Sequence, residues 1–262
     1  MISRRGTWLV PFDPSRPDTL FIASSSPHPR CQYVATRMSR SYAVQRSIML
    51  RFLTASPPSP EATIHLKELC GLAKHALPAG SDPSVVLCPM DDVRAGLDGI
   101  TNVLGTQQIY GTVTIDISTM RRPYLFGLVY YFRTFHPAAS LRLIYAPQVL
   151  SNRSPASINL SGDVYEVSTL PFYGNVGDGS LTGRGLIIFL GYEGHRALAV
   201  WQAAEAEHVV PILGSSDYDP ITSALARSTN RVLLTFAKEN YVDSLATHNS
   251  WDPGDVIEAL AS

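Results

Sequence analysis

Apolar β-branched runs alternate with helix-patterned segments along most of this chain, and the stretch from Gly111 to Arg133 sets the pattern. It reads Gly-Thr-Val-Thr-Ile-Asp-Ile-Ser-Thr-Met-Arg-Arg-Pro-Tyr-Leu-Phe-Gly-Leu-Val-Tyr-Tyr-Phe-Arg. Residues 113–117 have the near-continuous Val/Ile content of a strand buried on both faces. Pro123 then stands where helices favour proline, in a first turn.

The same alternation recurs on either side. Strand-like runs fall at 19–23, 47–54, 84–88, 140–145, 185–190 and 208–213, with a further possible strand at 232–236. Helical spacing follows at 31–38, 61–76, from Asp91-Asp92 to Leu104, at 123–135, after the turn at 191–196 to about Ala206, at 221–227 and at 255–260. This order predicts an α/β fold: a doubly wound, mainly parallel, Rossmann-like sheet, in a single domain over 1–262. The exception is 146–183, rich in Pro, Ser, Asn and Gly, where only 163–170 is strand-like. A stretch of that length is too long for a structureless loop, so an insertion or lid is expected there.

The bulk composition excludes several classes. With 262 residues, 45% of them hydrophobic, the chain has ample core. Its formal net charge of −1 encodes no global pull toward nucleic acid or an anionic membrane. Arginines do gather in the first half, at Arg4, Arg5, Arg30, Arg37, Arg40, Arg46 and Arg51. Charged residues make up only 16%, which favours a partner or self-association face. Cys31, Cys70 and Cys88 lack metal or disulfide spacing and read as reduced core thiols. No apolar run approaches membrane-spanning length, so a cytoplasmic location is expected.

In open parallel sheets, ligands sit outside the carboxyl ends of the strands. Four such ends are polar here. The first carries Ser24, Ser25, Ser26, His28 and Arg30, and the fourth Asp116, Ser118, Thr119, Arg121 and Arg122. The sixth carries Gly191, Glu193, Gly194, His195 and Arg196, and the seventh Gly214, Ser215, Ser216 and Asp217. Hydroxyls, helix-start N–H groups and guanidinium forks suit an anion, most often a phosphate.

Each group also has a plainer reading. The serines can form a turn and cap, Asp116 can be a satisfied core carboxylate, and Gly191 and Gly194 can serve a tight turn. Glu193 beside His195 can act as a general base or nucleophile, or it can simply start a helix. There is no Gly-x-x-x-x-Gly-Lys-Ser/Thr loop, no Gly-x-Gly-x-x-Gly after the first strand, no His-Glu-x-x-His and no Gly-x-Ser-x-Gly. The scattered histidines give no metal site.

Thr114-Ile-Asp-Ile-Ser-Thr-Met-Arg-Arg122 before an apolar helix, with Phe21-Ile-Ala-Ser-Ser-Ser26 after the first strand, resembles the CRISPR-associated Rossmann fold domains and related sensors of bacterial defence systems. Met120 stands where those domains often have a glycine before the basic residue, and no effector nuclease domain is expected in this sequence. The Gly-Tyr-Glu-Gly-His-Arg turn at 191–196 lies outside that pattern. It is similar to Rossmann-like proteins of bacterial conflict loci. The resemblance implies homodimerisation and binding of a nucleotide second messenger such as a cyclic oligonucleotide, with Ser24 to Ser26, Ser118, Thr119 and Arg121 as contacts. Two alternatives stand beside this sensor. One is an enzyme cleaving a nucleotide N-glycosidic or phosphodiester bond through Glu193. The other is a structural subunit that binds an effector protein.

Overall fold

The computed structural model describes residues 15–37, 42–53, 59–146, 172, 185–191, 193–206, 208–213 and 220–236. The chain divides into two compact units. One comprises Phe12–Leu150 with Thr169–Asn175, and the other Met1–Pro11, Ser151–Ser168 and Val176–Ser262.

The first unit is built on β1 (Asp18–Ser24), β2 (Val44–Leu53), β3 (Ser84–Pro89), β4 (Gly111–Asp116) and β5 (Ala139–Ile144). All neighbouring strands are parallel, in the order β3-β2-β1-β4-β5. The chain therefore moves outward from β1 in one direction, then returns to the other side of β1 to place β4 and β5. That reversal makes the β1/β4 boundary the topological switch point of a Rossmann-like sheet.

The helices follow from the sequence signals. After β1 comes a 3-10 turn (Pro29–Gln32) and the short α1 (Tyr33–Arg37), where one continuous helix over 31–38 was expected. Pro29 accounts for the tight start, because it supplies no N–H. Next, α2 (Pro60–Lys74) starts with Ser59 capping the Ala62 N–H and Pro60 in the first turn. In α3 (Val93–Leu104), the Asp92 carboxylate accepts from the Ala95 N–H at 2.9 Å, as the acidic start predicts. Finally, α4 (Arg122–Phe135) has Pro123 in its first turn.

Successive residues of each strand feed opposite faces. Leu20, Ile22, Ile48, Leu50, Val113 and Ile115 join Leu97, Ile100, Tyr124, Leu128 and Phe132 of α3 and α4 in one core layer. Phe21, Ala23, Val44 and Met49 pack with α1 and α2 residues on the other. Burial on both faces is why these strands read as unbroken apolar runs.

The second unit has β6 (Gly185–Leu190) and β7 (His208–Leu213), parallel and paired with each other. It also holds α5 (Gly194–Ala204), α6 (Pro220–Thr229) and α7 (Arg231–Phe236). The run expected as a strand at 232–236 is α7. Leu233 is buried while Val232 is exposed, and Leu234 packs partly against the same core. A five-residue apolar run does not distinguish strand from helix by periodicity alone. Most of 146–183, the strand-like 163–170 and the helix at 255–260 lie outside the described residues. Among the described residues, no helix is long and apolar enough to cross a membrane.

Candidate functional site

The first and fourth polar strand ends meet at the switch point. Ser24 closes β1, Ser25 and Ser26 follow it, and Ser118 and Thr119 follow β4. The Thr119 hydroxyl donates to the Ser24 carbonyl at 3.2 Å and lies 3.2 Å from the Ser24 hydroxyl. Since Thr119 has one proton to give, Ser24 Oγ donates to Thr119 Oγ1. The Ser25 hydroxyl donates to the Leu50 carbonyl at 3.4 Å, and Ser26 Oγ accepts the His28 N–H at 3.1 Å.

The serine triplet therefore does form a turn, as its plainer reading has it. The hydroxyl pair additionally ties the two strand ends together.

Arg30 spans the same space. Its guanidinium donates to the Ser118 carbonyl and lies 5.6 Å from the centre of the Tyr145 ring. Its Nε is buried and has no hydrogen-bond partner among the described residues. The Ser118 hydroxyl accepts the Ala146 N–H at 2.9 Å, which fixes the exit of β5 to the exit of β4. His65 of α2 was not legible as a site residue. Its Nδ1 lies 2.8 Å from the Ser26 carbonyl, which can only accept, so that nitrogen carries the proton. Nothing in the spacing of residues 61–76 marks this histidine, because the contact is made only once α2 packs against β2 and the 3-10 turn that follows β1.

Asp116 is 3% exposed, and its Oδ1 accepts the Ser118 N–H at 2.9 Å. It thus holds the turn at the end of β4. Burial pushes its carboxyl up to about 6, while the Ser118 hydrogen bonds and the Arg30 charge pull the other way.

The sign of the resulting pH dependence follows from linkage. A carboxyl raised above its unfolded value adds stability below about pH 4, and that stability is lost as pH rises through about 6. Relative to Asp116→Asn, the wild-type protein should gain about 1 kcal/mol of stability between pH 7.5 and pH 5. Denaturant unfolding of both proteins at the two pH values checks this; a difference independent of pH contradicts it.

Arg121 and Arg122 start α4. Both are exposed, and neither side chain makes a hydrogen bond or ion pair among the described residues. Among the described residues no side chain caps this helix, so first-turn N–H groups and two cations without a partner there coincide at the switch point. Met120 is 8% exposed and belongs to the core beneath α4.

The sixth strand end lies in the second unit. Glu193 is the residue before α5; its side chain makes no cap bond and pairs with Arg196 at 3.0 Å. His195 is exposed. The Gly191 carbonyl accepts from Asn230 Nδ2 at 2.6 Å. A Cβ on Gly194 would lie 1.8 Å from the Thr229 carbonyl oxygen, so close helix packing accounts for this glycine. Gly214, Ser215, Ser216 and Asp217 lie outside the described residues. No protein-family model matches the chain, and no curated protein matches it in sequence.

Proposed function

We propose that the five-stranded unit binds a phosphate-bearing nucleotide at the β1/β4 switch point and that the protein serves as a nucleotide sensor in a signalling or antiviral defence system. One observation carries this reading. Where the strand order reverses, a fourteen-residue helix, uncapped among the described residues, begins with two arginines that have no partner among them, beside the hydroxyl-rich ends of β1 and β4. Helix-start N–H groups and guanidinium forks together suit a phosphate oxygen set.

Ser24, Ser25, Ser118, Thr119 and Asp116 already satisfy one another or the backbone. They form a rigid rim, and Arg121 and Arg122 with the α4 N–H groups make the anion contacts. Cyclic oligonucleotides and a homodimeric assembly are what the sequence resemblance adds. Glu193, held by Arg196 in the other unit, offers no comparable support for a nucleotide-cleaving activity.

Thermal unfolding with a panel of nucleosides, mononucleotides and cyclic oligonucleotides tests the reading. A phosphorylated ligand at a hundredfold excess over its Kd should add about 2.7 kcal/mol of stability, whereas the matching nucleoside should add none. Absence of a shift with every phosphorylated ligand at millimolar concentration would overturn it.

A further inference from the structure

A second concavity of the five-stranded unit lies between α3 and α4, a groove of about 660 Å³ whose lining has no part in the switch-point contacts. That volume falls within the roughly 300–1,000 Å³ of small-molecule clefts. Close helix approach sets its floor: a Cβ on Gly127 would lie 2.6 Å from Leu97 Cδ1. One wall is aromatic, from Tyr130, Tyr131 and Phe135 of α4, and the other is polar, from Arg94, Asp98 and Asn102 of α3.

Arg94, Asp98 and Asn102 recur every fourth residue, so they share one face of α3. Opposite charges at this spacing commonly pair, although arginine ahead of the acid is the weaker order. Here neither Arg94 nor Asp98 forms an ion pair or a side-chain hydrogen bond among the described residues. The Arg94 guanidinium instead lies 5.9 Å from the centre of the Phe172 ring, which stacks on Tyr130. A cation and a carboxylate therefore stand one turn apart in an aromatic-walled cleft, with their hydrogen-bonding capacity unspent.

The aromatic wall adds a directed donor. His136 Nδ1 accepts the Ile109 N–H at 3.2 Å, so Nε2 carries the proton toward the Tyr131 hydroxyl at 2.9 Å. Desolvation holds His136 below its ordinary pKa, in keeping with a neutral ring. Tyr131 Oη thus accepts from His136, and its own proton has no acceptor among the described residues.

We propose that the α3–α4 groove binds a free phenolic α-amino acid of the L-tyrosine class, its carboxylate on Arg94, its ammonium on Asp98 and its ring against Tyr131 and Phe135. Charge complementarity selects this occupant. A zwitterion carries an anion and a cation on one small framework, as two opposite charges that do not neutralise each other require. The ring gains apolar burial and aromatic contact from the α4 wall, and its hydroxyl oxygen accepts the Tyr131 proton. The site goes beyond the nucleotide reading, since Arg121 and Arg122 take no part in it.

Calorimetric titration of the full chain with L-tyrosine, L-phenylalanine, tyramine and desaminotyrosine tests the proposal. L-Tyrosine should bind with a submillimolar Kd and more tightly than L-phenylalanine. Tyramine lacks the carboxylate and desaminotyrosine the ammonium, so each should bind at least about tenfold more weakly, the size of one charge-assisted hydrogen bond. Asp98→Asn, at an exposed position, should lose at least about tenfold in L-tyrosine affinity and no longer distinguish it from desaminotyrosine. Tyr131→Phe should bind L-tyrosine and L-phenylalanine alike, a readout that a merely structural role would not move. No binding of L-tyrosine at millimolar concentration, equal affinity of the wild type for L-tyrosine and any of the other three compounds, or unchanged L-tyrosine affinity in Asp98→Asn each overturns the proposal.

Discussion

Replacing Asp18 by alanine is expected to remove about 3–5 kcal/mol of folding stability from the five-stranded unit. Asp18 opens β1 at 2% exposure and serves three donors at once. The Tyr42 hydroxyl donates to Oδ2 at 2.7 Å, the Thr114 hydroxyl donates to the same oxygen, and Arg142 reaches Oδ1 at 2.6 Å. Arg142 Nε also donates to Thr114 Oγ1 at 2.9 Å, which closes the network across β1, β4 and β5.

Removing the carboxylate takes away the acceptor that a partly buried guanidinium and two buried hydroxyls share. Breaking a buried, charge-assisted network by removing its anion costs more than the modest net value of an ordinary hydrogen bond. The Tyr42 hydroxyl, pushed well above its usual pKa by burial and by Asp18, should titrate closer to normal in any variant that still folds. Urea unfolding gives the first quantity and ultraviolet titration the second; a stability loss below about 1 kcal/mol would show that the network is replaceable by solvent.

Gly194→Ala is the second large effect, expected at about 3 kcal/mol and confined to the second unit. The added Cβ would meet the Thr229 carbonyl oxygen at 1.8 Å and its carbon at 2.5 Å. Both are backbone atoms at the end of α6, so no side-chain rotation relieves the clash. The shift would also disturb Asn230, which is 1% exposed and whose Nδ2 bridges the Gly191 and Ala226 carbonyls at 2.6 and 2.7 Å. Hydrogen exchange should show faster opening of residues 185–190 and unchanged protection in β1 and β4. Unchanged exchange in both places would mean that packing does not require this glycine.

These two sites mark how far the sequence could be read. The strands were legible because β1, β2 and β4 are buried on both faces, so nearly every residue from Leu20 to Ala23 and from Ile48 to Leu50 is apolar. Helix starts were legible at Asp92 and Pro123, where capping and proline act within a few residues. Long-range pairing was not. Nothing local in Asp18, Tyr42, Thr114 or Arg142 announces a shared network, because the four come together only when β1, β4 and β5 align. The switch point itself was half legible: the polar ends at 24–26 and 116–122 stood out, but their adjacency depends on the strand order. His65 was invisible for the same reason. Gly194 was ambiguous because a turn glycine and a packing glycine look alike until the partner helix is placed.

Calorimetric titration of the tightest-binding phosphorylated nucleotide into the wild-type protein and into Arg121→Ala/Arg122→Ala addresses the central claim most directly. Both side chains are exposed and have no partner among the described residues, so the double variant should fold normally. Charge-assisted hydrogen bonds to a phosphate contribute about 1.5–3 kcal/mol each, so affinity should fall by at least tenfold, with a weaker salt dependence. Equal affinity in the two proteins, or no measurable heat in the wild type, would contradict a phosphate site at the start of α4.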